Sequence, residues 1–136
     1  MSKELREGGC LCGGVRYRVA AEPRTSAICH CVSCRRASGA QSVAWVIFPS
    51  AAFSFVSGDP AVYRSSAEVS RTFCARCGTS LTYQNDGNLG SIDVTAASLD
   101  LPDELPPARH VWLEDRVSWA SVDDGLPRFE RGGSPG

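Results

Sequence analysis

Phe73-Cys74-Ala75-Arg76-Cys77-Gly78 decides the fold. A tight turn of this form brings two thiolates to one metal ion, and the backbone N–H groups of the turn can donate to the sulfurs. Gly78 suits a positive φ just after it. A knuckle supplies only half of a tetrahedral site, so a second pair is required. Cys10-Leu11-Cys12 offers one, with 61 residues intervening. The remaining cysteines fall in one run, Cys29-His30-Cys31-Val32-Ser33-Cys34, which makes seven in all. Four thiolates close a zinc site, whereas three leave a coordination position open. Spacing also permits a different partition, a zinc ribbon of Cys31/Cys34 with Cys74/Cys77 that leaves Cys10, Cys12 and Cys29 over. The ribbon does not account for three thiols within six residues.

The bulk properties fit this reading. A chain of 136 residues, 43% of them hydrophobic, is expected to form one domain, placed at residues 1–130, followed by a flexible tail at 131–136. No apolar run reaches the ~18 residues of a membrane span, and the start lacks a signal-peptide core. The expected location is therefore the cytoplasm, where thiols stay reduced and clustered cysteines serve metals rather than disulfides. An odd cysteine count points the same way. Net charge is −1, with ten Lys/Arg against six Asp/Glu in residues 1–92 and four against nine in residues 93–136. No basic stripe marks a nucleic-acid partner.

The periodicity is that of strands. Val15 to Val19 alternates apolar and basic, Ser26 to Ile28 leads into the cysteine run, and Ser42 to Phe48 has the β-branched and aromatic content of a central strand. Phe53–Val56, Ala61–Ser65, Val69–Phe73, Thr79–Tyr83, Leu89–Val94 and Arg109–Leu113 complete the set. One helical turn is expected at Val32–Ser38, closed by Gly39. The class is mainly β.

Gly9-Cys10-x-Cys12-Gly13-Gly14-Val15, Cys29-His30-Cys31-x-x-Cys34-Arg35-x-x-Ser38-Gly39-Ala40 and Phe73-Cys74-x-x-Cys77-Gly78-x-x-Leu81 together resemble the glutathione-dependent formaldehyde-activating enzyme family, which includes centromere protein V. Asp93-Val94-Thr95-x-x-Ser98-Leu99, His110-Val111-Trp112 and Trp119 extend the likeness from about Gly8 to Phe129, and the chain looks like a short member. The resemblance implies a β-tent of small antiparallel sheets held by a structural zinc on Cys10, Cys12, Cys74 and Cys77. It implies a second, catalytic zinc on Cys29, Cys31 and Cys34, the more weakly held of two per chain. The implied activity is that of a carbon–sulfur lyase on a small thiol adduct such as S-hydroxymethylglutathione, formed from glutathione and formaldehyde. The alternative is a non-catalytic zinc module that binds a protein or nucleic acid.

Other residues divide between structural and functional readings. His30 is either the fourth ligand of the three-cysteine metal or points away from it. Arg35 and Arg36 are candidates to hold a substrate carboxylate, which a guanidinium matches in geometry. Trp45 is a candidate pocket wall, with core packing the competing role. His110 and Trp112 are expected to share a strand face, with His110 against substrate or simply hydrogen-bonded. Ser38 reads as a cap, and Asp93 as a structural hydrogen-bond acceptor.

Overall fold

The computed structural model describes residues 5–132. Strand β2 (Arg16–Val19) shows the expected alternation: Tyr17 and Val19 are fully buried, while Arg16 and Arg18 turn outward to carboxylates at Asp100 and Glu7. It is the middle strand of a three-stranded antiparallel sheet, between β1 (Arg6–Gly9) and β5 (Phe53–Ser57). β1 was not expected, because Arg-Glu-Gly-Gly carries no apolar periodicity. Its glycine has a packing reason: a Cβ on Gly8 would sit 2.4 Å from the Tyr17 hydroxyl and 2.5 Å from the Ser98 carbonyl oxygen.

The second sheet has seven strands. These are β3 (Thr25–Cys29), β4 (Val43–Pro49), β6 (Ala61–Ser66), β7 (Val69–Phe73), β8 (Ser80–Asn85), β9 (Ser91–Thr95) and β10 (His110–Val111). They lie in the order β10-β3-β4-β9-β8-β7-β6. All neighbours run antiparallel except β10 with β3, so the expectation of purely antiparallel small sheets needs correcting to one small antiparallel sheet and one larger mixed sheet. The last strand is also shorter than expected. Trp112 adopts φ 59°, which ends the strand at Val111 and breaks the shared parity of His110 with Trp112.

β4 divides the interior. Val46 and Phe48 face the smaller sheet and pack with Tyr17, Val19, Leu81, Ile92 and Val94, a cluster that also takes in Cys10 and Cys74. Trp45 faces the opposite side and packs with Ala27, Cys29, Cys34 and Val111, with Tyr83 and Trp112 against them. Each face of the seven-stranded sheet thus carries one cysteine cluster. Helix α1 (Val32–Ser38) stands over the second face; the Cys31 sulfur caps its start and Gly39, at φ 69°, closes it. Of the expected tail, Arg131 is tied to Glu114 and Trp112, and residues 133–136 lie outside the described part. No helix among the described residues is long and apolar enough to cross a membrane.

Candidate metal centres and groove

The thiols of Cys10, Cys12, Cys74 and Cys77 lie within 4.8 Å of one another, and those of Cys29, Cys31 and Cys34 form a separate group on the same criterion. The ribbon pairing of Cys31 and Cys34 with Cys74 and Cys77 is not formed.

Backbone geometry builds the first group. The Gly78 N–H donates to the Cys74 carbonyl and the Cys74 N–H to the Thr79 carbonyl, closing the knuckle with Gly78 at φ 84°. The Arg76 and Cys77 N–H groups each reach the Cys74 sulfur at 3.4 Å. On the other side the Val15 N–H reaches the Cys10 sulfur at 3.2 Å and the Gly14 N–H the Cys12 sulfur at 3.4 Å. The Thr79 hydroxyl accepts from the Leu11 N–H, so one threonine spans both turns. N–H groups aimed at sulfur favour the thiolate form, and four thiolates with no cation would repel one another. The donor set fits a divalent ion such as zinc.

The second group comes from the end of β3, the loop after it and the first turn of α1. Its thiols are driven apart in acidity. Cys29 and Cys34 hold the Cys31 thiol far below its ordinary value, helped by the Cys34 N–H at 3.3 Å and by the charge of Arg71. Cys29 is pushed up by Cys31, by Cys34 and by burial. One thiolate is thus stabilised at the expense of another, and a divalent cation would relieve that conflict, so this set also fits a metal.

His30 is not among these ligand atoms. It is buried, with Nε2 3.0 Å from His110 Nδ1, and His110 Nε2 lies 2.8 Å from Asp124 Oδ2. Asp124 accepts, so His110 carries its proton on Nε2 and its Nδ1 accepts from His30 Nε2–H. This Asp–His–His chain fixes both ring orientations, and His110 faces it rather than the groove. Burial, His110 and Arg116 all lower the basicity of His30.

The three-cysteine group opens onto a groove of about 450 Å³, whose walls include Trp45, Arg71, Tyr83, Asp93 and Trp112. A neighbouring groove along α1 shares Cys34, Trp45 and Arg71 and adds Arg36 and Tyr63. Trp45 is therefore both packed and groove-lining. Arg36 lines the second groove. Arg35 lines neither, and its Nε is buried without a partner. Ser38 donates to the Cys34 carbonyl at 2.8 Å, as a cap does.

Arg71 and Asp93 were missed as groove residues. Asp93 lies between core-facing Ile92 and Val94, so alternation turns it to the groove. It accepts no hydrogen bond from any described residue, which corrects its reading as a structural acceptor. Burial pushes its carboxyl up to about 7, with Arg71 pulling the other way. Its ordinary value is 3.8, so the folded state holds the proton more firmly than the unfolded chain. The stabilisation from that proton is complete at acid pH and is lost as the pH rises through about 7. Asp93→Asn should therefore raise the melting temperature at pH 8, by the equivalent of up to ~4 kcal/mol, and leave it nearly unchanged at pH 4. Thermal melts at the two values check this.

Comparisons with known proteins agree with the thiol pattern. The profile of the family described as "Glutathione-dependent formaldehyde-activating enzyme" matches residues 5–115. A Halomonas elongata protein whose name carries the same description is 29% identical over 128 residues, covering 88% of this chain and 82% of its own. An uncharacterized lyase of Schizosaccharomyces pombe is 34% identical over 92 residues, 60% of this chain and 61% of its own. The crystal structure of a Rhodobacter sphaeroides protein superposes with a TM-score of 0.59 at 20% identity, covering 90% of this chain and 98% of that one, and so shares the fold. With the family profile spanning both cysteine clusters and most of the chain, the protein belongs to the glutathione-dependent formaldehyde-activating enzyme family.

Proposed function

We propose that the protein is a zinc-dependent carbon–sulfur lyase that forms and cleaves a small thiol adduct such as S-hydroxymethylglutathione. The observation that carries this reading is the opening of the three-cysteine group onto a groove that all three thiols line, while in the four-cysteine group Cys10 and Cys74 are buried in the core cluster, Cys77 packs against it and Cys12 is exposed. Cys10, Cys12, Cys74 and Cys77 hold a structural zinc. Cys29, Cys31 and Cys34 hold the second, which when bound supplies Lewis acidity and favours a thiolate at neutral pH. In the synthetic direction the thiol sulfur bonds to the aldehyde carbon, the C=O π bond breaks, and the proton leaves sulfur for oxygen. The chain contributes position: the groove confines two small reactants beside the three sulfurs, which converts a bimolecular encounter into an oriented one. Trp45 forms its apolar wall, and Arg36 in the adjoining groove offers a guanidinium to a substrate carboxylate.

The test joins metal counting to exchange NMR of glutathione with formaldehyde. Two zinc ions per chain and accelerated exchange are expected. One metal and unchanged exchange would favour a non-catalytic binding module instead.

A further inference from the structure

Two grooves leave the three-cysteine group, and a reaction with formaldehyde needs only one of them. They share Cys34, Trp45 and Arg71 and then diverge. The larger, about 690 Å³, runs along α1 and carries Arg36 and Arg71, with no carboxylate among the described residues that line it. That charge suits an anionic reactant. The other, about 450 Å³, runs over the sheet and sets one guanidinium, Arg71, against two carboxyls, Asp93 and Asp115. It has no excess of positive charge to attract an anion. Formaldehyde has two heavy atoms and needs about the room of two waters, ~60 Å³. Most of the groove over the sheet would then stand unused.

Register builds the floor of that groove. Ala27 on β3, two residues before Cys29, pairs with Trp45 on β4. Two residues further along β4, Ile47 faces Asp93 on β9, and Asp93, Tyr83 and Arg71 continue the row across β8 and β7. The Trp45 and Tyr83 rings lie 6.0 Å apart between centroids and are tilted by 56°, so they form an aromatic corner. The Arg71 guanidinium lies over the Tyr83 ring, 5.2 Å from its centroid, and its Nε donates to Ser65 at 3.1 Å, which holds it to the ring. From the thiols outward the floor is therefore methyl, indole, aliphatic and phenol. Apolar and aromatic walls with few polar groups are what a small organic ligand requires.

We propose that the carbonyl partner of the reaction is an uncharged aldehyde bearing an apolar group of about phenyl to benzyl size, seated on Trp45, Ile47 and Tyr83 with its carbonyl carbon beside the three thiols. This rests on the lyase reading and concerns the aldehyde, not the thiol. The thiol sulfur bonds to the aldehyde carbon, the C=O π bond breaks, and the proton passes from sulfur to the new hydroxyl, giving a hemithioacetal. No oxidant or reductant enters. An aromatic group removed from water against these walls strengthens binding in proportion to its area, a gain for which formaldehyde has no atoms. Charge sets the other limit, because a carboxylate on the aldehyde would meet Asp93 and Asp115.

Phenylacetamide and acetamide, unreactive carbonyl analogues, test the groove without turnover when titrated by NMR into the zinc-loaded protein. The wild type should bind phenylacetamide at least tenfold more tightly, with shifts at the Trp45 indole, Ile47 and Tyr83. Ile47→Phe, which fills the floor, should bring the two amides within about threefold, whereas Ile47→Val should keep most of the preference. In exchange NMR with glutathione, phenylacetaldehyde should be accelerated over its uncatalysed reaction at least tenfold more than formaldehyde. Equal affinities for the two amides in the wild type, or a preference that survives Ile47→Phe, would overturn the assignment. A preference with neither exchange accelerated removes the lyase reading, and with it the aldehyde, and leaves only an apolar site. Acceleration of formaldehyde exchange alone, without a preference between the amides, keeps the lyase reading and removes the larger aldehyde.

Discussion

Cys74→Ser should abolish the native fold. Cys74 is 3% exposed, sits in the same cluster as Tyr17, Leu81 and Cys10, and receives two N–H groups on its sulfur. On the proposed reading a metal at this site joins the end of β7 to the turn preceding β2, a closure otherwise made by the hydrogen bond from the Leu11 N–H to the Thr79 hydroxyl. Zinc binding in small domains contributes ~10–16 kcal/mol to folding, against a typical global stability of ~5–15 kcal/mol. Losing one of four thiolates therefore removes a free energy comparable to the whole. The expected result is loss of the near-ultraviolet circular dichroism and of the cooperative melt, with the same outcome when the wild type is stripped by a strong chelator. A cooperative transition within a few degrees of wild type would show that the four-thiolate site is not structural.

Cys31→Ser should behave in the opposite way. Cys31 lies in the loop between β3 and α1, only partly buried, and its sulfur is an N-cap to a helix of two turns. A serine oxygen can cap that helix too, so the fold should survive with a melting temperature within ~5 °C of wild type. The serine is a poor zinc ligand, however, and the variant should retain one metal per chain and lose glutathione–formaldehyde exchange by at least ~100-fold. The measurements are zinc content, thermal melting and exchange NMR on the same sample. If Cys31→Ser and Cys74→Ser unfold alike, the division into a structural and a catalytic metal fails.

Much of this architecture was legible in the sequence because it depends on local chemistry. Alternation located β2, the turn glycines Gly39 and Gly78 marked the helix end and the knuckle, and the family resemblance chose between the two partitions of the thiols that spacing alone left open. What was not legible depends on partners distant in sequence. β1 carries no strand signal because Gly8 is required by contact with Tyr17 and Ser98, and neither contact has a local signature. The early end of β10 comes from one left-handed residue, Trp112, a conformation that a bulky side chain does not advertise. Arg71 and Asp93 each look like one polar position in an ordinary strand. Only the register of β7, β8 and β9 places them in one row, and only the position of α1 makes that row the wall of a groove.

The Asp124–His110–His30 chain has a practical consequence for handling the protein. All seven thiols precede residue 78, and the family profile ends at 115, so a chain clipped after Asp115 would keep every thiol and most of the sheet. It would lose Asp124, together with the segment in which the Pro127 carbonyl and the Phe129 N–H grip the His110 backbone from both sides. Two buried imidazoles between Cys29 and Cys31 and the chain end would then have no anchor. On the proposed function such a preparation would keep all seven thiols and still lose exchange activity, so its inactivity would say nothing about the intact chain. Intact mass at the C-terminus is therefore the first quality check for any negative assay.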